Sequence, residues 1–316
     1  MKVKIGFVSQ SLTGVDYHRL LKPMQLLNYD HEFEVIRCDG ASEEMYDHNF
    51  DVIVFNRLLP IIKQEEFIKE LKRRGTYVIC DMDDHWILNY GHMGKRISDT
   101  YKRQTLEALI NSNEIWVTHD HLGKAVEPLN CNWHVMTNAI DPEESQWRPK
   151  ESHETRIGWA GGATHFKDLM LTDGCWGETI PIVCGYNEKE KEWVRLAEHL
   201  KANYVNCLPV LTYGYLYEQF DIAIAPLVNN KFNTYKSNLK ILEAGIKGLP
   251  IFVQDIHPYT DETQGVYKVR DWKEALSIAS KMDAQEIREN GRQLRNYIIK
   301  NYNLRDINEK RKERLR

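Results

Sequence analysis

The stretch Asn233-Thr-Tyr-Lys-Ser-Asn-Leu-Lys-Ile-Leu-Glu-Ala-Gly-Ile-Lys-Gly-Leu-Pro-Ile-Phe-Val253 reads as a polar loop, a helix and a buried strand in immediate succession. Lys236, Ser237 and Asn238 crowd the helix start expected near Ser237. Unbonded backbone N–H groups and the positive end of the helix dipole attract anions at such a place. Glu243 stands further along, suited to accept hydrogen bonds from ribose hydroxyls once a diphosphate occupies the tip. Gly248 fits the residue that ends a helix in a left-handed turn, and 249–253 restarts as a short strand. A nucleoside diphosphate is the ligand this arrangement suits.

Outward from that stretch, short β-rich runs alternate with longer helical patterns along the 316 residues. Strands are expected at 3–8, 33–37, 52–55, 77–80, 115–118 and 134–136. A second set is expected at 156–160, 180–184, 204–206, 222–225, 251–253 and 266–268. Apolar residues recur at helical spacing over 17–27, 65–74, 98–110, 188–200, 237–247, 271–281 and 285–301. Continuous apolar strands with helices between them predict parallel sheets covered on both faces. The alternation pauses over 141–154, a polar stretch with two prolines that reads as a linker. The expected fold is therefore α/β, with two Rossmann-like domains facing a cleft that holds the ligand near the strand carboxyl ends. Residues 1–145 form the first domain and 146–300 the second. A basic helix over 301–316 is either a solvated end or an arm crossing back to the first domain.

Composition narrows the classes. An apolar content of 42% and a charged content of 28% belong to a globular chain. A net charge of -4 provides no global positive field for nucleic acid or anionic membrane. The six cysteines are scattered without a Cys-x-x-Cys pair, which suits small buried thiols in a reducing compartment. The first apolar run is too short for a signal peptide, and no stretch approaches a membrane span. A cytosolic protein is expected. Gly-x-Ser-x-Gly, His-Glu-x-x-His, a Walker loop and paired Cys-His zinc spacing do not occur, which disfavours hydrolases, metalloproteases and triphosphatases.

The second domain opens with Arg156-Ile-Gly-Trp-Ala-Gly-Gly-Ala-Thr-His-Phe-Lys-Asp-Leu169, a strand entering a Gly-Gly turn before a helix near Thr164. Any tight strand-to-helix turn uses glycine. At the head of an α/β unit, however, Gly161 and Gly162 also let backbone amides approach a phosphate, with Lys167 as a point charge.

Together these stretches resemble the retaining, nucleotide-sugar-dependent glycosyltransferases of the GT-B fold, particularly family 4 and its compact phage relatives. Gly14-Val-Asp-Tyr-His-Arg-Leu-Leu-Lys-Pro23 is similar to the Gly-Val-x-Tyr-Tyr-Arg-Leu opening of those relatives. Cys80-Asp-Met-Asp-Asp-His-Trp86 resembles their acidic strand end, and 157–165 their second-domain start. The most specific match is Lys236-Ser-Asn-Leu-Lys-Ile-Leu-Glu-Ala-Gly245 with the following Gly-Leu-Pro. The family's Glu-x7-Glu signature places its ribose-binding glutamate on Glu243, while its first glutamate falls on Tyr235. The sugar contact is therefore expected at Lys236, Ser237 or Asn238. Of the basic pair that grips the diphosphate, Lys167 is the lysine candidate, and the arginine position falls on Ala160 or Gly161. Asn206-Cys-Leu-Pro209, Tyr213 and Tyr215 would lie by the base.

What the resemblance implies is transfer of a sugar from a nucleoside diphosphate sugar, expected to be a UDP-sugar, with retention and with neither metal nor other cofactor. Asp81, Asp83 and Asp84 form an Asp-x-Asp-Asp set that in another glycosyltransferase fold would hold a metal. Here they are read as acceptor-side hydrogen bonders or helix caps, with Asp83 a catalytic candidate. His119 and His165 are candidates to touch the transferred sugar, as is Lys236, and His18 could reach sugar or acceptor. The acceptor hydroxyl is expected near Gly14, Asp83 or His119. It could belong to a glycan, a small molecule, a lipid, a protein or a hydroxymethylated DNA base. A nucleotide-sugar epimerase of the same fold and a non-catalytic binding protein are the rival readings.

Overall fold

The computed structural model describes residues 2–9, 13–40, 42–88, 98–151, 154–260, 262 and 264–316. The chain divides into two units: Met1–Ala139 with Tyr235–Ser237 and Leu304–Arg316, and Ile140–Thr234 with Asn238–Asn303.

The first unit holds a parallel sheet of β1 (Val3–Val8), β2 (Phe33–Cys38), β3 (Val52–Asn56), β4 (Tyr77–Met82), β5 (Glu114–Val117) and β6 (Trp133–Val135). Its strand order is β2-β1-β3-β4-β5-β6. The second unit holds β7 (Ile157–Ala160), β8 (Ile182–Tyr186), β9 (Asn203–Asn206), β10 (Ile222–Ala225), β11 (Ile251–Gln254) and β12 (Val266–Val269), ordered β12-β11-β10-β7-β8-β9. Both are doubly wound sheets, and the direction of winding reverses between β1 and β3 and between β7 and β10. Crevices at the strand carboxyl ends open at such points. All twelve expected strands form, each shifted by no more than two residues at either end. Runs such as Ile53, Val54 and Phe55 or Ile222 to Ala225 are buried on both faces, so a parallel sheet is the structure that hides them.

Two short helices, Ser42–Asp47 and Asp120–Val126, are additional to the expected set. The stretch 141–154 is no loose tether: Gln146 and Trp147 are buried in a single turn of 3-10 helix in the second unit, where Gln146 accepts the Gly214 amide at 2.8 Å. Ser152 and His153 lie outside the described residues.

The basic end is a helix, Leu304–Leu315, of the first unit, with Leu304, Ile307, Arg311 and Leu315 buried along one stripe. Asn308 donates to the Pro23 carbonyl at 2.9 Å, and Arg314 forks onto the buried Glu114 at 3.1 and 2.7 Å. Two further cations at this end pair with carboxylates of their own unit: Lys312 with Asp30 and Arg316 with Glu32. No helix among the described residues is long and apolar enough to cross a membrane.

The helix Leu239–Ile246 is clamped by the helix Ala284–Asn301 through glycine. A Cβ on Gly291 would lie 1.8 Å from the Gly248 carbonyl oxygen, and one on Gly245 would lie 2.7 Å from Ile298. Arg295 adds a bond from Nε to the Ile246 carbonyl at 3.1 Å. Backbone cannot yield as a side-chain tip can, so Gly291→Ala should lower unfolding free energy by about 1–3 kcal/mol. Denaturant titration reads this as a fall in midpoint, and an unchanged midpoint would show the crossing to be looser than drawn.

Candidate functional site

In the second unit, β7 delivers Trp159 and then the Gly161–Gly162 turn. The Gly161 amide donates to the Cys184 carbonyl at 3.1 Å, so it extends the sheet ladder. Gly162 is exposed and opens a turn of 3-10 helix, Ala163–His165, followed by the short helix Phe166–Leu169 with Lys167 on its exposed side. His165 Nδ1 lies 2.7 Å from Asp168 Oδ2. Asp168 is buried, and its other oxygen accepts the Val228 amide at 2.8 Å and the Asn233 side chain at 3.2 Å. One carboxylate thus ties the glycine turn to the loop that leads into Leu239–Ile246.

The helix start expected at Ser237 is corrected to Leu239, with Asn238 in the capping position but making no side-chain cap. Asn238 instead donates to Glu262 at 2.7 Å, and Tyr302 donates to the same oxygen. Within the first turn stands Lys240, a residue missed by sequence reasoning. Its ammonium reaches Glu243 Oε2 at 3.2 Å and the Tyr213 hydroxyl at 3.1 Å, and Tyr217 donates to Glu243 Oε2 at 2.6 Å. The signal was there in the i, i+3 spacing of Lys240 and Glu243. Burial alone would discharge Lys240, but the adjacent Glu243 carboxylate outweighs it and holds the ammonium charged. Burial, reinforced by Glu243, pushes Tyr213 up to about 12 and Tyr217 well above the ordinary tyrosine value, so both stay hydroxyl donors. The face of Trp159 lies 5.7 Å from the Lys240 ammonium, and its ring meets His165 edge-on at 5.9 Å. The indole joins the His165 and Lys240 groups into one site. Helix-head amides, a fixed ammonium and a buried carboxylate suit a ligand with an anionic and a hydroxylated end. The ring of Tyr215, also expected near a base, lies 5.7 Å from the Lys247 ammonium.

Tyr235, Lys236 and Ser237 do not form the helix tip; they belong to the first unit. Tyr235 stacks on His121 at 4.3 Å and leans on His85 at 4.5 Å, while its carbonyl lies 3.1 Å from His119 Nε2. His119 Nδ1 accepts the Leu122 amide at 3.2 Å as the cap of helix Asp120–Val126. Both ring nitrogens therefore have structural partners. Ser237 accepts from Asn138 at 2.7 Å, and the Lys236 ammonium lies 4.0 Å from Asp84.

The aspartates at the end of β4 are likewise engaged. Asp81 is held by Arg19 and Asn56, and Asp83 by Arg57 Nε at 2.6 Å and Asn56 at 3.1 Å. Arg57 Nη2 bonds Asp84 at 3.0 Å. Arg57 is one of two non-glycine residues in the left-handed region among those described, with φ of 61°. His18 is buried edge-on against Tyr17 at 4.9 Å. Gly14 is exposed, with open space where a Cβ would stand. Among the described residues, the one trio of side chains able to share a metal is Asp30, His31 and Glu32, of which Asp30 and Glu32 already pair with Lys312 and Arg316.

Burial would raise the Asp83 carboxyl, but the Arg57 guanidinium outweighs it and holds the group below its usual value. A carboxylate depressed on folding contributes stability above the unfolded pKa of about 3.9, and that contribution is lost as pH falls through the depressed value. Acid unfolding should therefore leave Asp83 intact until pH is below about 4. In Arg57→Met the largest opponent of burial is gone and only the Asn56 hydrogen bond and the Arg19 charge remain, so stability should begin to fall at higher pH. Unfolding free energy measured between pH 3 and 7 checks this, and parallel curves for the two proteins would contradict it.

No protein-family model matches the chain, and no curated protein matches it by sequence. Solved structures do match. An α,α-trehalose-phosphate synthase (UDP-forming) from Burkholderia vietnamiensis aligns with a TM-score of 0.66 at 8% identity, over 100% of this chain and 97% of that one. A glycosyltransferase involved in avilamycin A biosynthesis gives 0.62 at 11% identity, over 99% and 97%. The lipopolysaccharide outer core galactosyltransferase WaaB gives 0.57 at 9%, over 98% and 99%. At such identities the likeness is one of fold. The chain has two Rossmann-like domains of the GT-B type.

Proposed function

We propose that the chain is a glycosyltransferase that moves a sugar from a nucleoside diphosphate sugar to an acceptor hydroxyl, with retention and without a metal. The observation that carries this reading is the head of helix Leu239–Ile246, where Lys240, Glu243 and Tyr213 are bonded together beneath Trp159. The diphosphate rests on the helix-head amides, with Lys240 and the exposed Lys167 as its cations. Glu243, locked by Tyr217 and Lys240, is the ribose partner. His165, its ring oriented by Asp168, is the side chain of this domain placed to touch the transferred sugar.

As the glycosidic bond breaks, negative charge gathers on the leaving phosphate. Fixed donors stabilise that charge more than the ground state because they need no reorganisation when it appears. The absence of a metal from the proposal is supported by Asp81 and Asp83, whose carboxylates are held by Arg19 and Arg57. Retention is carried over from the resemblance of 236–245, and a uridine donor is favoured by the UDP-forming structural neighbour. The acceptor enters from the first domain, whose candidate residues are Gly14 and Asp83.

Calorimetric titration with UDP, GDP and ADP and their hexose conjugates should find one nucleotide bound through the second domain. With the donor identified, Lys240→Ala should slow turnover by roughly a hundredfold, the loss expected when one fixed charge-stabilising donor is removed. Full activity in that variant would overturn the assignment. Conversion of donor alone into an isomeric sugar would mean an epimerase, and binding without turnover on any acceptor would mean a non-catalytic protein.

A further inference from the structure

The segment after β11 is pinned to the residues that lead into helix Leu239–Ile246, all within the second unit. His257 Nδ1 lies 2.5 Å from the Thr234 carbonyl, and Glu262 accepts the Asn238 side chain at 2.7 Å. Between those anchors the Tyr259 amide donates to the Ile256 carbonyl at 2.9 Å, closing a turn. That turn carries the Tyr259 ring inward, and 3% of the residue stays exposed.

A buried tyrosine ordinarily finds a partner for its hydroxyl, because an unmade hydrogen bond in the interior is costly. The Tyr259 hydroxyl makes no hydrogen bond to a described residue, yet it is not one of the unpaired atoms sealed from solvent. It therefore meets solvent at the edge of an otherwise enclosed ring. The charges that act on it are those of the helix-head site. Burial lifts the hydroxyl above the ordinary tyrosine range, the Lys240 ammonium opposes this, and Asp168 and Glu243 reinforce it. The phenol stays protonated and is a donor.

Its polar neighbours are already committed to one another. Tyr217 donates to Glu243, Lys240 bonds both Glu243 and Tyr213, and Asp168 accepts the Val228 amide and the Asn233 side chain. Tyr259 thus keeps its proton for a group outside the protein. Beside an ammonium and the amides of a helix head, the acceptor that suits such a donor is an anionic oxygen.

We infer that the Tyr259 hydroxyl donates a hydrogen bond to the diphosphate of the bound nucleotide, a contact that rests on the glycosyltransferase reading above. Calorimetry with UDP, GDP and ADP tests it on the full chain and on Tyr259→Phe, with saturation-transfer NMR for the matching nucleosides. The tightest diphosphate should bind Tyr259→Phe about tenfold more weakly, the loss expected for one hydrogen bond to a charged group. Its nucleoside, which has no phosphate, should bind both proteins alike. Because the hydroxyl has no partner in the protein, the unliganded variant should unfold at no lower temperature than the parent. Undiminished diphosphate affinity, an equal loss for diphosphate and nucleoside, or a lowered unfolding temperature would each overturn the contact. Any of these, with the parent still binding a diphosphate, defeats the Tyr259 assignment alone. A parent chain that binds none of the three diphosphates defeats the enzymatic reading beneath it.

Discussion

A guanidinium withdrawn from water must have its donors satisfied by protein, and Arg19 meets that demand at the centre of the first domain. Its Nε reaches both oxygens of Asp81 at 3.2 and 3.0 Å, and Nη1 reaches the Met136 carbonyl and Asn138 at 3.1 Å. Asn138 donates onward to Ser237, and Asn56 bridges Asp81 to Asp83. One buried ion pair therefore aligns the first helix, the end of β4, the segment after β6 and the Tyr235–Ser237 peptide. Removing one partner of such a pair strands a charge in the interior, at about 3–5 kcal/mol. Charge satisfaction, more than apolar packing, sets the geometry of this sheet end.

The second domain solves the same problem with a carboxylate. Asp168 gathers a histidine, a backbone amide and the Asn233 side chain, and so spans the turn after β7 and the loop after β10. The Lys240–Glu243 pair lies beyond that loop and is closed by two tyrosines. Each domain thus has a polar girder at the carboxyl ends of its strands, the edge where a doubly wound sheet offers room for ligands.

Much of this was legible in the chain. The strand and helix periods report burial on two faces or one, and the tertiary structure honours them, so the two sheets follow from pattern alone. The helix start was misplaced because polarity at 236–238 looks the same whether it caps a helix or bonds elsewhere. The three-residue segment is held by His119, His121 and Asn138, residues 99 or more positions away. The role of His119 was hidden for the same reason: a histidine after a strand does not announce that it caps the next helix. Lys240 was overlooked because a lysine in a helix is ordinarily solvated, and only Tyr213 and Glu243 folding around it make it otherwise.

The first helix carries a further implication. Over Tyr17–Leu21 it widens to a π turn, and all five of these residues are buried. The wider turn holds one amino acid more than an α-turn, and it carries the buried Tyr17, His18 and Arg19. Trimming one residue there would restore regular pitch while rotating everything upstream by about 100°. Thr13, Val15 and Asp16 would then swing away from the pocket they line with Asn56 and Arg57. The irregularity is thus the part of the helix that aims its amino-terminal end.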